Sequence, residues 1–280
     1  MSDLSYDGGY RGAQAVGDPL TFAISQRDAD TIQMVRNAIA DRNVLLAFQP
    51  VVQTALPDRP AFYEGLVRVL DHTGRVIPAR DFIDAIETSE TGRQIDCLAL
   101  QQGLDTLHAN PGLRLSINMS ARSIGYPRWM DTLMRGLRQG PTIAERLILE
   151  ITESSAMVMP DIVQVFMADL QHKGITFALD DFGAGYTSFR YLRDFFFDIL
   201  KIDGQFIRGI HKSPDDQVLT QALISIGRQF EMFTVAEYVE TAEEAMFLTD
   251  IGIDCMQGYY FGAPTTKPHW VHQPDQRRTG

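Results

Sequence analysis

The chain alternates short strand-like runs with helical patterns along most of its length, and this alternation limits the possible folds. Eight runs of five to eight residues have strand character, and most are followed by a segment with helical periodicity. Repeated strand–helix units predict a parallel sheet, and eight such strands in 280 residues predict a closed barrel. The runs are LLAFQPVV (45–52), FYEGLVRV (62–69), LRLSINMS (113–120), LILEIT (147–152), FALDDF (177–182), ILKID (199–203), TVAEYV (234–239) and CMQGYYF (255–261).

The first two runs depart from this pattern. About ten residues with two prolines separate them, whereas a parallel crossover needs a dozen residues or more. The pair is therefore predicted to form an antiparallel hairpin. The predicted fold class is α/β, a modified TIM (β/α)8 barrel with an antiparallel first strand pair.

The composition divides the chain into one domain and two tails. Residues 1–20 are rich in Gly, Asp and Ser and lack a signal-peptide core, so they are predicted to form a flexible N-terminal tail. Residues 28–265 are predicted to form the barrel domain, because no low-complexity linker interrupts them. Residues 266–280 are predicted to form a C-terminal tail.

The net charge and the cysteine content limit which binding partners and which cellular compartment are expected for the protein. The net charge of −11 argues against a nucleic-acid polymer or an acidic membrane as the main partner. A small anionic ligand is compatible with it if metal ions reverse the local sign. The two cysteines, Cys97 and Cys255, lie in apolar segments, which favours a reducing cytoplasm over a disulfide framework. Because no apolar run reaches about 18 residues, no membrane insertion is expected.

Polar side chains stand at or near the C-terminal ends of the runs. Those ends share one rim of a barrel, so the side chains are predicted to converge on a single pocket. The alternative for each residue alone is a helix cap, but caps need short side chains and three of the set are glutamates. Because side chains alternate along a strand, Ile148 and Glu150 are predicted to point into the barrel together. If Glu237 points into the barrel, its neighbour Tyr238 is predicted to point outward. The set is Glu64, Arg68, Asn118, Glu150, Asp180, Asp181, Lys201, Glu237 and Gln257.

Five of these residues are carboxylates, and one lysine and one arginine do not balance their charge. Oxygen ligands without clustered His or Cys indicate hard divalent ions, Mg²⁺ or Mn²⁺. The adjacent pair Asp180 and Asp181 can bridge two ions. The glycines that follow the pair let backbone N–H groups turn toward an anion.

Taken together, the motifs resemble those of the EAL family of cyclic-di-GMP phosphodiesterases over roughly residues 30–265. The resemblance implies a modified (β/α)8 barrel that uses two divalent metal ions to hydrolyse cyclic-di-GMP to linear pGpG. The motifs are FQP (48–50), EGLVR (64–68), NMS (118–120), LEITES (149–154), LDDFGAGYTSF (179–189), LKID (200–203), AEYVET (236–241) and QGYYF (257–261).

The resemblance also implies a role for each matching residue. Lys201 is similar to the lysine that orients and helps to activate the attacking water, Gln257 to the glutamine beside that water, and Glu153 to the glutamate that holds the loop after the fifth run. The implied ligands are Glu64, Asn118, Glu150 and Asp180 for one metal, and Asp180, Asp181 and Glu237 for the other. The implied catalytic set is Lys201, Glu64, Asp181, Gln257 and Glu153, and the implied substrate-binding set is Gln49, Leu66, Arg68 and Asp181, with Arg68 on a phosphate.

Three positions depart from the family pattern. Gly65 replaces an alanine, and tolerance is expected because both residues are small. Tyr238 replaces the usual glycine after Glu237, so it is expected to narrow the rim or restrict φ. The segment RDFFFDI (193–199) lacks the proline often found there.

Other functions stay open. The main alternative is a catalytically silent cyclic-di-GMP receptor that acts through protein partners, although such receptors usually lack several acidic ligands that this chain keeps. A purely structural role would leave the acid cluster unexplained. Residues 181–183 read DFG, a metal-binding motif of protein kinases, but the glycine-rich loop and the HRD-like catalytic loop of kinases do not accompany it. The HxxH spacing of His269 and His272 is interpreted as a surface coincidence.

The segment SFRYLRDFFFDI (188–199) predicts association. Its residues Phe195, Phe196 and Phe197 cannot all face one core, because neighbouring side chains point in different directions. An exposed apolar patch favours a partner, and the family resemblance favours a homodimer here. Regulation is expected to come through this dimerisation, a regulatory protein partner, the tail or expression. The alternative is a loop that places all three rings beneath the adjoining helix.

Overall fold

A closed barrel of eight strands forms the centre of the computed structural model, which describes residues 19–183 and 192–271. Each barrel strand pairs with two neighbours in the order β1-β9-β8-β7-β6-β5-β4-β2, and β2 pairs back to β1. The strands are β1 (Val44–Gln53), β2 (Leu56–Leu70), β3 (Val76–Pro78), β4 (Leu115–Asn118), β5 (Leu147–Thr152), β6 (Thr176–Phe182), β7 (Ile199–Ile202), β8 (Phe233–Ala236) and β9 (Cys255–Gln257).

The predicted modified TIM barrel is confirmed. Strand β1 runs antiparallel to both of its neighbours, β2 and β9, and the other barrel neighbours are parallel. The short strand β3 was not predicted. It pairs antiparallel with the last residues of β2, which extend beyond the β2–β4 pairing, and three residues are too few to give a periodic pattern.

Helices connect most of the parallel strands and cover the outside of the barrel. Helix α9 begins with a capping box between Thr241 and Glu244, and it is followed directly by Gly252, whose φ is 82°. The helices are α1 (Pro19–Ala40), α2 (Ile83–Ile86), α3 (Glu90–Ala109), α4 (Pro127–Leu137), α5 (Glu153–Val158), α6 (Pro160–Gln171), α7 (Gly204–Ile207), α8 (Pro214–Gln229) and α9 (Ala242–Ile251), with 3₁₀ turns at Ala79–Asp81, Ala121–Ser123, Ala144–Arg146, Ile210–Lys212 and His269–Val271.

Two apolar layers meet at the barrel wall. A large outer cluster fills the space between strands and helices, with Leu149, Phe177 and Leu200 among its members. A smaller cluster lies inside the barrel, and Ile148 belongs to it as the alternation predicts. The inner cluster consists of Val51, Phe62, Ile148, Ala178, Ile199, Val235 and Cys255.

The predicted tails lie mostly outside the described residues, which begin at Pro19 and end at Val271. Helix α1 begins at Pro19, so the last two residues of the N-terminal segment are helical. At the other end, the Trp270 ring packs edge-on against Tyr63 and Phe48, at centroid distances of 4.2 and 5.7 Å. The described start of the C-terminal segment therefore contacts the barrel.

The three successive phenylalanines face different environments, as predicted. Phe195 and Phe197 are buried and pack against each other, whereas Phe196 is 72% exposed. The alternative in which all three rings are covered is therefore wrong for the single chain. Phe189 and Tyr191 of the same segment lie outside the described residues.

No helix in the described ranges combines the length and the apolar character that a bilayer span requires.

Gly65 and Ile117 are matched in size across neighbouring strands. A Cβ atom added to Gly65 would lie 2.7 Å from Ile117 Cδ1, and one added to Gly103 on α3 would lie 2.8 Å from the same atom. The Ile117 side chain therefore occupies the space that both glycines leave free. The expected tolerance of glycine in place of the family's alanine stays a prediction, and the packing shows that an alanine at position 65 would require Ile117 to move.

We predict that Gly65→Ala lowers the free energy of unfolding by about 1–3 kcal/mol, because an added methyl overpacks a filled core. Ile117→Val removes the atom in closest contact, so the double variant Gly65→Ala/Ile117→Val should recover part of that loss. Gly112→Ala is the matched control, because its added Cβ would meet no atom within 4 Å. Urea unfolding of the wild type, Gly65→Ala, Ile117→Val and the double variant measures the coupling, and strictly additive effects would contradict it.

Candidate active site

The polar residues form a second layer directly above the inner apolar cluster. On six strands the polar residue follows the apolar one by two positions, so both point into the barrel. Because β1 runs the other way, its polar residue Gln49 precedes Val51 by two positions. The six pairs are Phe62 and Glu64, Ile148 and Glu150, Ala178 and Asp180, Ile199 and Lys201, Val235 and Glu237, and Cys255 and Gln257.

Lys201 lies at the centre of this layer and is fully buried. Its Nζ lies 2.8 Å from Glu150 Oε2, 2.8 Å from Asp180 Oδ1 and 2.9 Å from Glu237 Oε1. A fourth carboxylate oxygen, Glu64 Oε2, is 3.5 Å away. One ammonium group therefore serves four buried carboxylates.

The electrostatics of the layer follow from this imbalance. Burial alone lowers the pKa of Lys201, but the attraction of Asp180, Glu150 and the other carboxylates outweighs it and raises that pKa well above its ordinary value. Burial, followed by the charge of Glu64, raises the pKa of Glu150 to about 8. Burial also raises the pKa of Asp180, and it raises the pKa of Glu237 well above its ordinary value. Without another cation, the cluster retains protons near neutral pH.

Glu64 is the exception among these acids. Burial opposes its ionisation, but Lys201 and hydrogen bonds from Gln257 and Asn118 leave its pKa below the ordinary value. Gln257 Nε2 donates to Glu64 Oε2 at 2.6 Å, and Asn118 Nδ2 donates to Glu64 Oε1 at 2.7 Å. Gln257 Nε2 also lies 3.2 Å from Oε1 of Gln49, whose own Nε2 donates to the carbonyl of Gly262. Amide groups thus fix the ionised Glu64.

Asp180 and Asp181 both face the site although they are adjacent in sequence. The β6–β7 pairing is irregular between Leu179 and Phe182, and Asp181 has a φ of 55°, in the left-handed region. This break in alternation brings oxygens of Asp180, Asp181 and Glu237 to within 4.8 Å of one another. Burial, followed by the charge of Asp180, raises the pKa of Asp181 to about 6.

The donor set fits a hard divalent cation. Glu150 Oε1 and Glu237 Oε2 are buried and have no hydrogen-bond partner among the described residues. Such oxygens are costly to bury unless a cation or a proton meets them. The predicted ligands of both metals, which are Glu64, Asn118, Glu150, Asp180, Asp181 and Glu237, surround this one site.

The remaining predicted residues lie beside the acids. Glu153 is buried and its Oε2 accepts a hydrogen bond from Gly183 N at 3.2 Å, where β6 ends. The other glycine of the predicted anion-binding turn, Gly185, lies outside the described residues. Leu66 and Arg68 follow Glu64 by two and four positions on β2, so they share its side of the strand. Arg68 is half-buried, and its Nη1 donates to the carbonyl of Val67 at 2.8 Å.

One contact at the rim was missed by the sequence reasoning. The guanidinium of Arg208 lies 4.3 Å from the centroid of the Tyr238 ring. Tyr238 has a φ of 55°, in the left-handed region that a glycine adopts more easily, and the narrowing of the rim expected from this residue stays a prediction. Arg208 stands outside every motif, so only the departure from glycine at position 238 could have drawn attention to this contact.

The elevated carboxyl pKa values predict that the metal-free protein loses stability as pH rises. From about pH 5 to about pH 8, the folded chain keeps protons on Glu150 and Asp181 that the unfolded chain releases, so the free energy of unfolding falls with rising pH. The lowered pKa of Glu64 changes the free energy of unfolding only at lower pH. Melting temperatures with chelator should decline across this range, and less steeply in Glu150→Gln.

The control for this measurement is Asp169→Asn, which changes an exposed carboxylate on α6 and should leave the wild-type slope intact. A melting temperature that rises with pH in chelator would contradict the proton balance of the cluster.

Comparison with known proteins identifies the family of this chain. The family model described as EAL domain matches residues 32–264. Cyclic di-GMP phosphodiesterase PdeF of Escherichia coli (strain K12) is 30% identical over 234 residues, which cover 82% of this chain and 31% of PdeF. Cyclic di-GMP phosphodiesterase NbdA of Pseudomonas aeruginosa is 32% identical over 236 residues, which cover 82% of this chain and 30% of NbdA. The chain thus spans about a third of the length of these two relatives.

Solved structures show the same fold. The structure described as "PaMucR Phosphodiesterase, c-di-GMP complex" is 28% identical with a TM-score of 0.77, and the match covers 84% of this chain and 97% of that one. The FimX EAL domain from Pseudomonas aeruginosa bound to c-di-GMP is 24% identical with a TM-score of 0.77, covers 85% and 97% of the two chains, and supports the fold alone. Because the family model covers most of the sequence, this chain belongs to the EAL domain family.

Proposed function

We propose that this protein hydrolyses one phosphodiester bond of cyclic-di-GMP to give linear pGpG. The observation that carries the proposal is the polar layer, in which four buried carboxylates surround Lys201 and a fifth, Asp181, stands at the rim. A cluster this acidic would repel an anionic substrate unless cations were bound, so the same feature supports a metal-dependent reaction.

Two divalent cations, Mg²⁺ or Mn²⁺, would be held by Glu64, Asn118, Glu150 and Asp180 on one side, and by Asp180, Asp181 and Glu237 on the other. When bound, such ions polarise a phosphate oxygen and lower the pKa of a water molecule. The carboxylates that retain protons in the metal-free protein would release them on binding.

The other residues would position the reactants. Lys201 Nζ lies within 2.9 Å of oxygens of Glu150, Asp180 and Glu237, so it would orient the nucleophilic water as a donor and a positive charge. Gln257 and Gln49 lie beside Glu64 and would fix the water and the substrate on that side. Arg68 and Leu66 would contact the substrate, with the guanidinium on a phosphate. Glu153, through Gly183, would hold the end of β6 that carries the two aspartates.

The direct test is incubation of the purified protein with cyclic-di-GMP and Mg²⁺ or Mn²⁺, with chromatography of the products. We expect pGpG to form, chelator to abolish turnover and added metal to restore it. Asp180→Asn should lower kcat by at least about 100-fold, because the residue is shared between both predicted metal positions. It should fold normally, because it removes a repelling charge.

Asp250→Asn is the matched control and should keep full activity, since this residue is exposed near the end of α9 and belongs to none of the predicted metal-ligand, catalytic or substrate-binding sets. Full turnover in excess chelator, or an Asp180→Asn variant at the wild-type rate, would sink the proposal. Tight binding without cleavage under either metal would instead favour a receptor that acts through protein partners.

We also propose that the protein forms a homodimer through an apolar surface made of Val158, Ile162, Val165 and Phe196. All four side chains are exposed, and Ile162 and Val165 lie one turn apart on one face of α6. Gln164 and Gln171 on α6 donate to the carbonyls of Asp194 and Phe196, which fixes the aromatic segment beside that face. A patch of this kind favours a partner.

The dimer proposal predicts that Phe196→Glu shifts the protein to monomer and lowers its turnover, since a charge in an apolar interface opposes association. Light scattering at micromolar concentration and a parallel assay measure both effects. Phe233→Glu, which charges another exposed phenylalanine, should leave both unchanged. A wild-type protein that is monomeric and fully active would rule this coupling out.

A further inference from the structure

Tyr238 occupies an unusual position at the mouth of the site. It directly follows Glu237, just beyond the end of β8, and its side chain remains 47% exposed. Its φ of 55° lies in the left-handed region, where a tyrosine is strained and a glycine is not. A strained bulky residue persists only where the surrounding structure holds it in place.

The structure supports the Tyr238 ring from one side. Gly204 and Arg208 are four residues apart on and just after α7, so they lie one above the other. The Arg208 guanidinium covers the ring at 4.3 Å, and a Cβ on Gly204 would approach Tyr238 Cδ2 to 2.4 Å. Only a glycine at position 204 leaves room for the ring to lie on this helix end.

The supporting segment is itself fixed. The buried Glu244 side chain accepts a hydrogen bond from Gly209 N at 2.7 Å, directly after Arg208. The other oxygen of the same carboxylate accepts from the backbone N–H groups of Glu240 and Thr241, at 2.8 and 3.0 Å. One side chain therefore ties the loop after β7 to the loop after β8.

Because α7 and Arg208 cover one face of the ring, the opposite face accounts for the exposed area. Tyr238 directly follows Glu237, whose carboxylate lies within 4.8 Å of oxygens of Asp180 and Asp181, so the exposed part of the ring stands at the barrel rim next to the acid cluster. A flat, fixed and apolar surface next to a phosphodiester site has the chemistry to receive a nucleobase.

We propose that the exposed face of Tyr238 stacks on a purine base of the substrate and that Arg208 holds the ring for this contact. The inference rests on the proposed function, because it takes cyclic-di-GMP as the ligand. The cation on one face orients the ring, and the free face gives a contact of large area at little entropic cost. The contact would act on substrate binding rather than on the chemical step.

The test uses a cyclic dinucleotide in which 2-aminopurine replaces one guanine, mixed with the full-length protein and Mn²⁺ in a stopped-flow instrument. Stacking on a tyrosine quenches this fluorophore, so binding is detected whether or not cleavage follows. Tyr238→Leu should remove the quench and raise the KM or Kd for cyclic-di-GMP by about 5- to 150-fold, with kcat changed less than about twofold. Tyr238→Phe should retain the quench.

Two further variants guard against a folding artefact. Arg208→Gln leaves position 238 untouched and should weaken both the quench and the affinity. Phe233→Leu changes an aromatic residue that is 65% exposed at the opposite end of β8 and should have no effect. Thermal melts confirm that each variant is folded.

Unchanged quench and KM in Tyr238→Leu would overturn the stacking proposal and leave the hydrolase proposal intact. A fall in kcat at constant KM would also overturn it, because that result indicates a role in positioning Glu237. If the wild-type protein binds no cyclic dinucleotide at all, the proposed function and the stacking proposal fail together.

Discussion

The buried ammonium of Lys201 is the interaction on which the centre of this barrel depends. It touches three carboxylates at 2.8–2.9 Å and lies within 3.5 Å of a fourth. A buried ion cluster with more acids than bases is a poor device for stability, because desolvation is only partly repaid. The presence of this acidic cluster is better explained by the cations that it attracts. Lys201 allows the acids to be buried together, and the remaining negative charge reserves the site for cations.

The barrel supplies this arrangement with one simple rule. Six strands each place an apolar residue in the inner cluster and a polar residue two positions further along, so that both side chains point into the barrel. The reversed strand β1 contributes Gln49 to the same layer by the opposite count. The outer helices then have only to cover the other side of the wall and to close the rim, as Glu244 does between two loops.

Much of this could be predicted from the sequence. The strand runs and the inward direction of Glu150 follow from period-two patterns, and the antiparallel hairpin follows from its short connection; all of these depend on neighbours along the chain. The failures concern contacts between distant segments. Arg208 reaches Tyr238 across two loops, and Ile117 fills the space beside Gly65 from another strand. The break that turns both Asp180 and Asp181 toward the site depends on β7, so alternation within β6 could not reveal it.

The two-position offset between the apolar and polar layers limits where residues can be inserted into or deleted from such a barrel. Deleting one residue within β5 would move Glu150 to the helix-facing side and send Leu149 or Ile151 into the pocket. Because neighbouring strands are in fixed register, the error could not be absorbed locally. Insertions and deletions should therefore accumulate in the connecting loops. The short strands β5, β7 and β8 should tolerate substitutions far better than insertions or deletions that shift their register.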